Sequence, residues 1–305
     1  MRALQFSEYG PSSVLRVAEV PEPHAGPGQV RVAVRASGVT PADWYVRSGR
    51  FKDWIPLPLP HVPGADAAGV VDEVGPGVTG VTVGDEVLGM TDLARMGGAN
   101  AEFAVLALWV PKPPNLTWQE AGGLAANAET AARTLDLLGV TAGTTLLIEG
   151  AAGGVGSIAV QLAVARGAKV IGTAGERNHA FLTGLGATPA TYGPGLKERV
   201  ATPVDAVLDC AGSGSLSELV ELAGDPRKVV SIADLTADAH GVHMSRSAGP
   251  GADPQADDGL AEVVDLAAQG RLSVPIAAVF PLEQAAAAHE LSETGHTRGK
   301  IVLTL

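Results

Sequence analysis

Residues 145–156 read TLLIEGAAGGVG, a run of apolar strand formers followed by a glycine-rich turn, and SIAVQLAVARG continues from there as an apolar helix. This order constrains the fold more than any other feature of the chain. A strand that is apolar on both faces needs parallel neighbours, and an apolar helix must cover the sheet they form. The downstream sequence supplies those neighbours. KVIGTAG (169–175), VDAVLDCAG (204–212) and KVVSIADL (228–235) read as strands, and ERNHAFLTGLG (176–186) reads as a helix. The alternation predicts a doubly wound parallel sheet.

The first hundred residues have a different texture. QVRVAVRASGV (29–39) alternates small apolar and polar residues with the period of a half-buried strand. DAAGVVDEVG, VGDEVLGM and AEFAVLAL repeat the pattern between Gly/Pro turns, which suggests a compact antiparallel barrel. The texture changes near 117, where Thr117 and Glu120 make a capping box and one helix is predicted through TWQEAGGLAANAETAARTLDLLGV. Residues 240–258 are polar and turn-rich and read as a loop between domains, before DGLAEVVDLAAQGRL (helix), VPIAAVFPL (strand), LEQAAAAHELSETG (helix) and KIVLTL (strand).

Charge and cysteine content exclude several classes. A net charge of −12 argues against nucleic acid or an anionic membrane as partner. The one cysteine, Cys210, allows no disulfide framework and no cysteine-rich zinc site. MRALQFSEYG lacks the apolar core of a signal peptide, and no apolar run has membrane-spanning length, so the expected location is the cytoplasm.

The glycine turn is the first candidate site. It reads Ala151-x-Gly153-x-x-Gly156, with alanine in place of the first glycine of the dinucleotide fingerprint. Strand before, helix after and a second strand about 20 residues on make the context that the fingerprint requires. Ala152, Gly153, Gly154 and Val155 are expected to meet a pyrophosphate at the helix N-terminus, with Gly156 allowing the helix to pack on the strand. The strand that follows ends at Thr173 and Ala174, without the acid that usually holds a ribose 2′-hydroxyl. Arg177 could meet a 2′-phosphate, which favours NADPH, while Glu176 is the contrary sign. The alternative is that Glu176 and Arg177 are a solvated helix start.

Five segments together carry a resemblance: GVTPADWYVRSG (38–49), PGADAAGVVDEVGPGV (63–78), VGDEV (83–87), GAAGGVGSIAVQLA (150–163) and GHTRGKIVL (295–303). The chain resembles the medium-chain dehydrogenase/reductase superfamily over essentially its whole length, and within it the zinc-free quinone oxidoreductase branch, the zeta-crystallin-like enzymes. The resemblance implies an α/β fold class: a GroES-like β-barrel catalytic domain from both chain ends (1–116 and 255–305) plus a doubly wound Rossmann cofactor domain (117–254). It implies a cofactor bound between the domains and a homodimer. Zinc members of the superfamily place metal ligands at the positions of Thr40, Ala65 and Ala126 or Asn127. With those residues catalytic zinc lacks its three ligands, and Asp66 alone cannot hold it. His240 and His243 lie in a turn-rich loop and read as surface histidines.

Further site residues follow from the resemblance. Tyr45 matches a tyrosine near the nicotinamide, and Thr40 occupies a slot that is often Asn; both hydroxyls could bond a substrate oxygen. For Thr40 a turn role is an equal alternative. Asp43 is expected to orient the loop or the cofactor. Trp44, Trp54, Ala65 and Asn127 are pocket candidates, with core or rim as the alternative for the tryptophans. Thr130 matches a nicotinamide contact, Tyr192 a residue near the adenosine phosphate, and Arg298, Gly299 and Lys300 a C-terminal cofactor turn. Cys210-Ala211 and Ser231-Ile232-Ala233 end strands at the edge where α/β sheets bind ligands, and Cys210 reads as a buried small residue. The implied activity is NADPH-dependent reduction of a quinone or an α,β-unsaturated carbonyl, the proton coming from Tyr45 or water. The alternatives are an enoyl reductase for one polyketide-type intermediate and a non-catalytic cofactor-binding protein; a zinc alcohol dehydrogenase is nearly removed by the missing ligands.

Overall fold

The computed structural model describes residues Met1–Leu305. The chain divides into two compact units, Met1–Asn127 with Ala248–Pro250 and Leu260–Leu305, and Ala128–Ser247 with Gly251–Gly259. Each is described by itself.

In the first unit the alternating sequences form a seven-stranded sheet. Its order is Ile276–Pro281, Lys300–Thr304, Val30–Val39, Asp66–Val74, Glu86–Met90 and Leu108–Pro111, with Phe103–Leu106 also pairing to Val30–Val39. Pairing is antiparallel except between the two C-terminal strands, which run parallel. The terminal strand Lys300–Thr304 lies directly on Val30–Val39, so residues from opposite ends of the chain share one sheet. Val30, Val32, Val34, Val71, Val87 and Leu106 fill one core of this unit. Each contributes roughly 1.5–3 kcal/mol by leaving water. The run AEFAVLAL is two strands, not one, with Ala107 between them.

The predicted helix from 117 is also two. Thr117 and Glu120 do cap it, the Glu120 N–H donating to Thr117 Oγ1 at 3.2 Å and the Thr117 N–H to Glu120 Oε2 at 2.9 Å. The helix Trp118–Gly122 then stops, and a second runs from Ala125 to Leu137. The break has a packing cause. A Cβ at Gly122 would stand 2.5 Å from the Ala36 carbonyl oxygen, and one at Gly123 would stand 2.5 Å from Lys300 Cγ. The first helix belongs to the first unit, which extends to Asn127, ten residues past the change of texture at 117.

The second unit is a six-stranded parallel sheet. Its order is Thr188–Ala190, Lys169–Thr173, Thr145–Glu149, Ala206–Asp209, Val229–Ser231 and His243–Met244. The chain steps outward from Thr145–Glu149 in one direction, then crosses over and steps outward in the other. The switch point, where such sheets bind ligands, therefore lies between Thr145–Glu149 and Ala206–Asp209. No helix of the protein is long and apolar enough to cross a membrane.

Candidate functional site

The candidate residues fall in both units. In the second, the strand Thr145–Glu149 ends on Gly150, whose φ of +73° only glycine adopts freely. The turn closes with the Gly153 N–H on the Gly150 carbonyl at 3.0 Å, and the helix Gly154–Ala165 starts there. A Cβ at Gly156 would meet Ala151 Cα at 2.8 Å, so helix and turn are in closest approach at that residue. The first turn of this helix presents N–H groups with no intrahelical acceptor, the arrangement that binds phosphate. Gly153, Gly154 and Val155 are partly exposed at its mouth, and Ala152 is buried beneath them. Thr173 closes the neighbouring strand Lys169–Thr173. It is buried, and its Oγ1 accepts the Gly150 N–H at 3.3 Å while its carbonyl accepts the Ala151 N–H at 3.1 Å, so it fixes the turn from below.

Across the switch point, Asp209 accepts the Ala211 and Gly212 N–H groups at 2.8 and 2.9 Å and the Ser231 hydroxyl at 2.7 Å. Ser231 in turn accepts the N–H groups of Ala233 and Asp234. One buried acid thus shapes both Cys210-Ala211 and Ser231-Ile232-Ala233. Beside it Glu149, in register with Asp209, accepts the hydroxyls of Ser213 and Ser215. Burial holds the Glu149 carboxyl above its usual range, against the pull of Ser215. Burial, then the charges of Asp209 and Glu149, push the Cys210 thiol well above its ordinary value, which makes it a poor nucleophile, consistent with a packing residue. Ala174 is buried at the end of its strand, Glu176 and Arg177 are exposed in the short helical turn that follows, and Tyr192 is half exposed close to Gly175. The Thr130 hydroxyl donates to Glu129 at 3.4 Å, inside a buried network in which Glu129 and Asp253 flank Arg133. His243 pairs with Asp253 and His240 with Ser217, so neither is a free ligand.

In the first unit the helix Pro41–Arg47 carries Asp43, Trp44 and Tyr45. Asp43 is buried and accepts the Thr40 N–H at 2.6 Å, the Thr40 hydroxyl at 2.8 Å and the Gly64 N–H at 2.9 Å. Burial raises its pKa, and these hydrogen bonds oppose the rise. The Thr40 hydroxyl proton is therefore engaged by Asp43, and Thr40 caps the helix Pro41–Arg47. The Tyr45 ring lies 4.0 Å from the Trp44 ring and 5.4 Å from Phe51, with the Arg50 guanidinium 4.6 Å above it. Trp54 stacks on Phe51 at 5.9 Å and is half exposed, so the four rings form one wall rather than separate core residues.

Gly299 is buried, with φ +85° and Pro275 Cβ 2.8 Å from where its own Cβ would stand, so it serves the backbone turn. Lys300 is buried 3.6 Å from Asp66 Oδ2, an ion pair rather than an exposed cofactor cation; Arg298 beside them is exposed. Asp66, fully buried, also accepts the Ala126 N–H at 3.1 Å, and burial raises its pKa against the opposing charge of Lys300. This role of Asp66 depends on contacts distant in sequence. The available signal was a lone acid opening the otherwise apolar run DAAGVV. Around Thr40, Ala65 and Ala126 the only such side chains are Asp43 and Asp66, and no three His, Cys, Asp or Glu side chains converge anywhere in the chain. These residues do not fit a zinc ion.

Residues 26–135 match the family model of the alcohol dehydrogenase GroES-like domain, and residues 185–303 match the zinc-binding dehydrogenase model. A chloroplast envelope quinone oxidoreductase homolog of Arabidopsis thaliana is 32% identical over 327 residues, covering 99% of this chain and 98% of the relative. The chain belongs to the quinone oxidoreductase-like branch of the medium-chain dehydrogenase/reductase superfamily. A solved quinone oxidoreductase from Coxiella burnetii superposes on this branch member with a TM-score of 0.87 at 31% identity, covering 100% of this chain and 99% of that one. An NADPH-dependent alkenal/one oxidoreductase of Arabidopsis thaliana is 31% identical over 316 residues, covering 99% of this chain and 79% of the relative. The branch member is an oxidoreductase, with a GroES-like unit and a Rossmann-type unit as the resemblance implied.

Proposed function

We propose that the protein reduces a quinone or an α,β-unsaturated carbonyl, using NADPH and no metal. The observation that supports this reading is that Thr40, Ala65 and Ala126 have only the acids Asp43 and Asp66 beside them, short of the three ligands a catalytic Lewis acid takes. A simple ketone depends on strong polarisation of its oxygen. A conjugated acceptor spreads the arriving charge onto a distant oxygen, where a neutral hydroxyl donor suffices.

The nicotinamide, when bound, supplies the hydride. With the N–H groups of Gly150, Ala151 and Gly153 held inside the turn, those of Ala152 and of the helix start, Gly154 and Val155, bind the pyrophosphate. Arg177, exposed after a strand that ends on Ala174 without an acid, pairs with the 2′-phosphate. Tyr45, packed between Trp44 and Phe51, orients the acceptor through its ring and donates from its hydroxyl to the developing oxyanion. Tyr45 rather than Thr40 takes this role, because the Thr40 proton is held by Asp43. The acceptor gains one hydride and one proton, the proton coming from Tyr45 or from water. The reading includes a homodimer in the cytoplasm. Its test is loss of NADPH absorbance at 340 nm with a panel of quinones, enones and enoyl thioesters. Turnover with quinones or enones supports it, and a panel without turnover refutes it.

A further inference from the structure

Segments far apart in sequence meet at two buried carboxylates of the first unit. Asp43 binds the N–H groups of Thr40 and Gly64 at 2.6 and 2.9 Å. Asp66 binds the N–H of Ala126 at 3.1 Å and faces Lys300 at 3.6 Å. Each anchored N–H belongs to, or adjoins, a residue that the sequence marks as a site candidate: Thr40 itself, Gly64 before Ala65, and Ala126 before Asn127. The backbone is shaped around this cluster. A Cβ at Gly38 would lie 2.6 Å from Lys300 Cε and 2.9 Å from its Nζ, and one at Gly64 would lie 2.6 Å from Asn100 Cγ. Asp66 Oδ1 and Lys300 Nζ make no hydrogen bond, so the pair is not fully satisfied by its own contacts. An ion pair buried in this way is a weak source of stability compared with an apolar pair of similar volume. What it gives that an apolar pair cannot is an acceptor fixed on a chosen N–H.

We propose that Asp43 and Asp66, the latter seated by Lys300, are positioning residues that hold the turns bearing Thr40 and Ala65 and the start of the helix bearing Asn127 in one arrangement, so that the acceptor meets a preformed wall. The inference rests on the function proposed above. It assigns the two acids no contact with substrate and no proton transfer. Their effect is on acceptor binding, and it travels through backbone N–H groups.

The experiment compares two double variants of the full-length protein. Asp66→Leu with Lys300→Met removes both charges and the acceptor together, so the fold loses a buried ion pair without keeping an orphaned charge. Asp66→Asn with Lys300→Met also removes the charges but keeps an amide oxygen facing the Ala126 N–H. Three quantities are read: amide hydrogen exchange at Ala126, the acceptor KM, and the NADPH KM. For the leucine variant, faster exchange at Ala126 and an acceptor KM raised about tenfold are expected, since displacement of roughly 1 Å costs up to about 100-fold in such sites, with the NADPH KM unchanged. The asparagine variant is expected to regain both the protection and most of the acceptor KM. An unchanged acceptor KM in the leucine variant overturns the proposal, as does a parallel rise in both KM values, which marks a general loss of structure. A wild-type protein that turns over no acceptor refutes the proposed function instead, and unchanged exchange at Ala126 in the leucine variant then refutes the anchoring itself.

Discussion

Gly156→Ala is the sharpest probe of the phosphate turn. The added methyl carbon would stand 2.8 Å from Ala151 Cα and 3.0 Å from the Gly150 carbonyl carbon. Ordinary carbon contact is about 3.5–4.0 Å, so the helix and the turn must separate by roughly 1 Å. Neither neighbour is the flexible end of a side chain. Gly150 is already committed to φ +73°, and Ala151 is tied through its N–H to the Thr173 carbonyl. Overpacking of this kind costs about 1–3 kcal/mol. If the cost falls on the turn that meets the pyrophosphate, NADPH affinity drops by roughly 5- to 150-fold. Titration of NADPH against intrinsic fluorescence measures this, with thermal unfolding in parallel to show that the variant is folded. A folded variant with wild-type NADPH affinity would refute the assignment of this turn to the pyrophosphate.

Three other outcomes are expected. Arg177→Ala raises the KM for NADPH about tenfold and leaves that for NADH unchanged, as removal of a charge-assisted phosphate contact requires; an equal effect on both removes the 2′-phosphate role. Tyr45→Phe keeps the ring wall and lowers kcat at least tenfold if the hydroxyl donates to the oxyanion; an unchanged kcat with the same acceptor assigns donation to water. His289, buried and beside Arg47, has its pKa lowered from 6.5 to about 4 by burial first and by that charge second. The unfolded chain then binds a proton that the folded chain refuses. About 3 kcal/mol of stability, complete above pH 6.5, is lost as the pH falls toward 4. His289→Leu flattens denaturant-measured stability across that window, and parallel curves for the two proteins contradict the assignment.

The parallel sheet was legible because its central strands are short runs of buried apolar residues, such as Leu146-Leu147-Ile148, Val207-Leu208 and Val229-Val230. The helix Pro41–Arg47 was not read, since seven residues carry too little periodicity, although Thr40-Pro41 followed by Asp43 is a fair start signal. The helix Leu216–Ala223 was passed over even though Leu216, Leu219 and Ala223 mark one buried face. At the site, the glycine turn was visible because its chemistry is local. For Thr40 the turn role and the substrate role stand level in the sequence, because its partner Asp43 lies on a helix too short to show a period. The Asp66–Lys300 pair was hidden for another reason: it depends on the last strand lying beside Val30–Val39, and register between chain ends is not written in either segment alone.

The central claim is hydride transfer from NADPH to a conjugated acceptor, and isotope transfer tests it most directly. The protein is given an enone and NADPH carrying deuterium at one or the other C4 position, and the product is weighed by mass spectrometry. The account predicts one deuterium at the β-carbon from one of the two labelled forms and none from the other. A reduced product without deuterium from either form would contradict it.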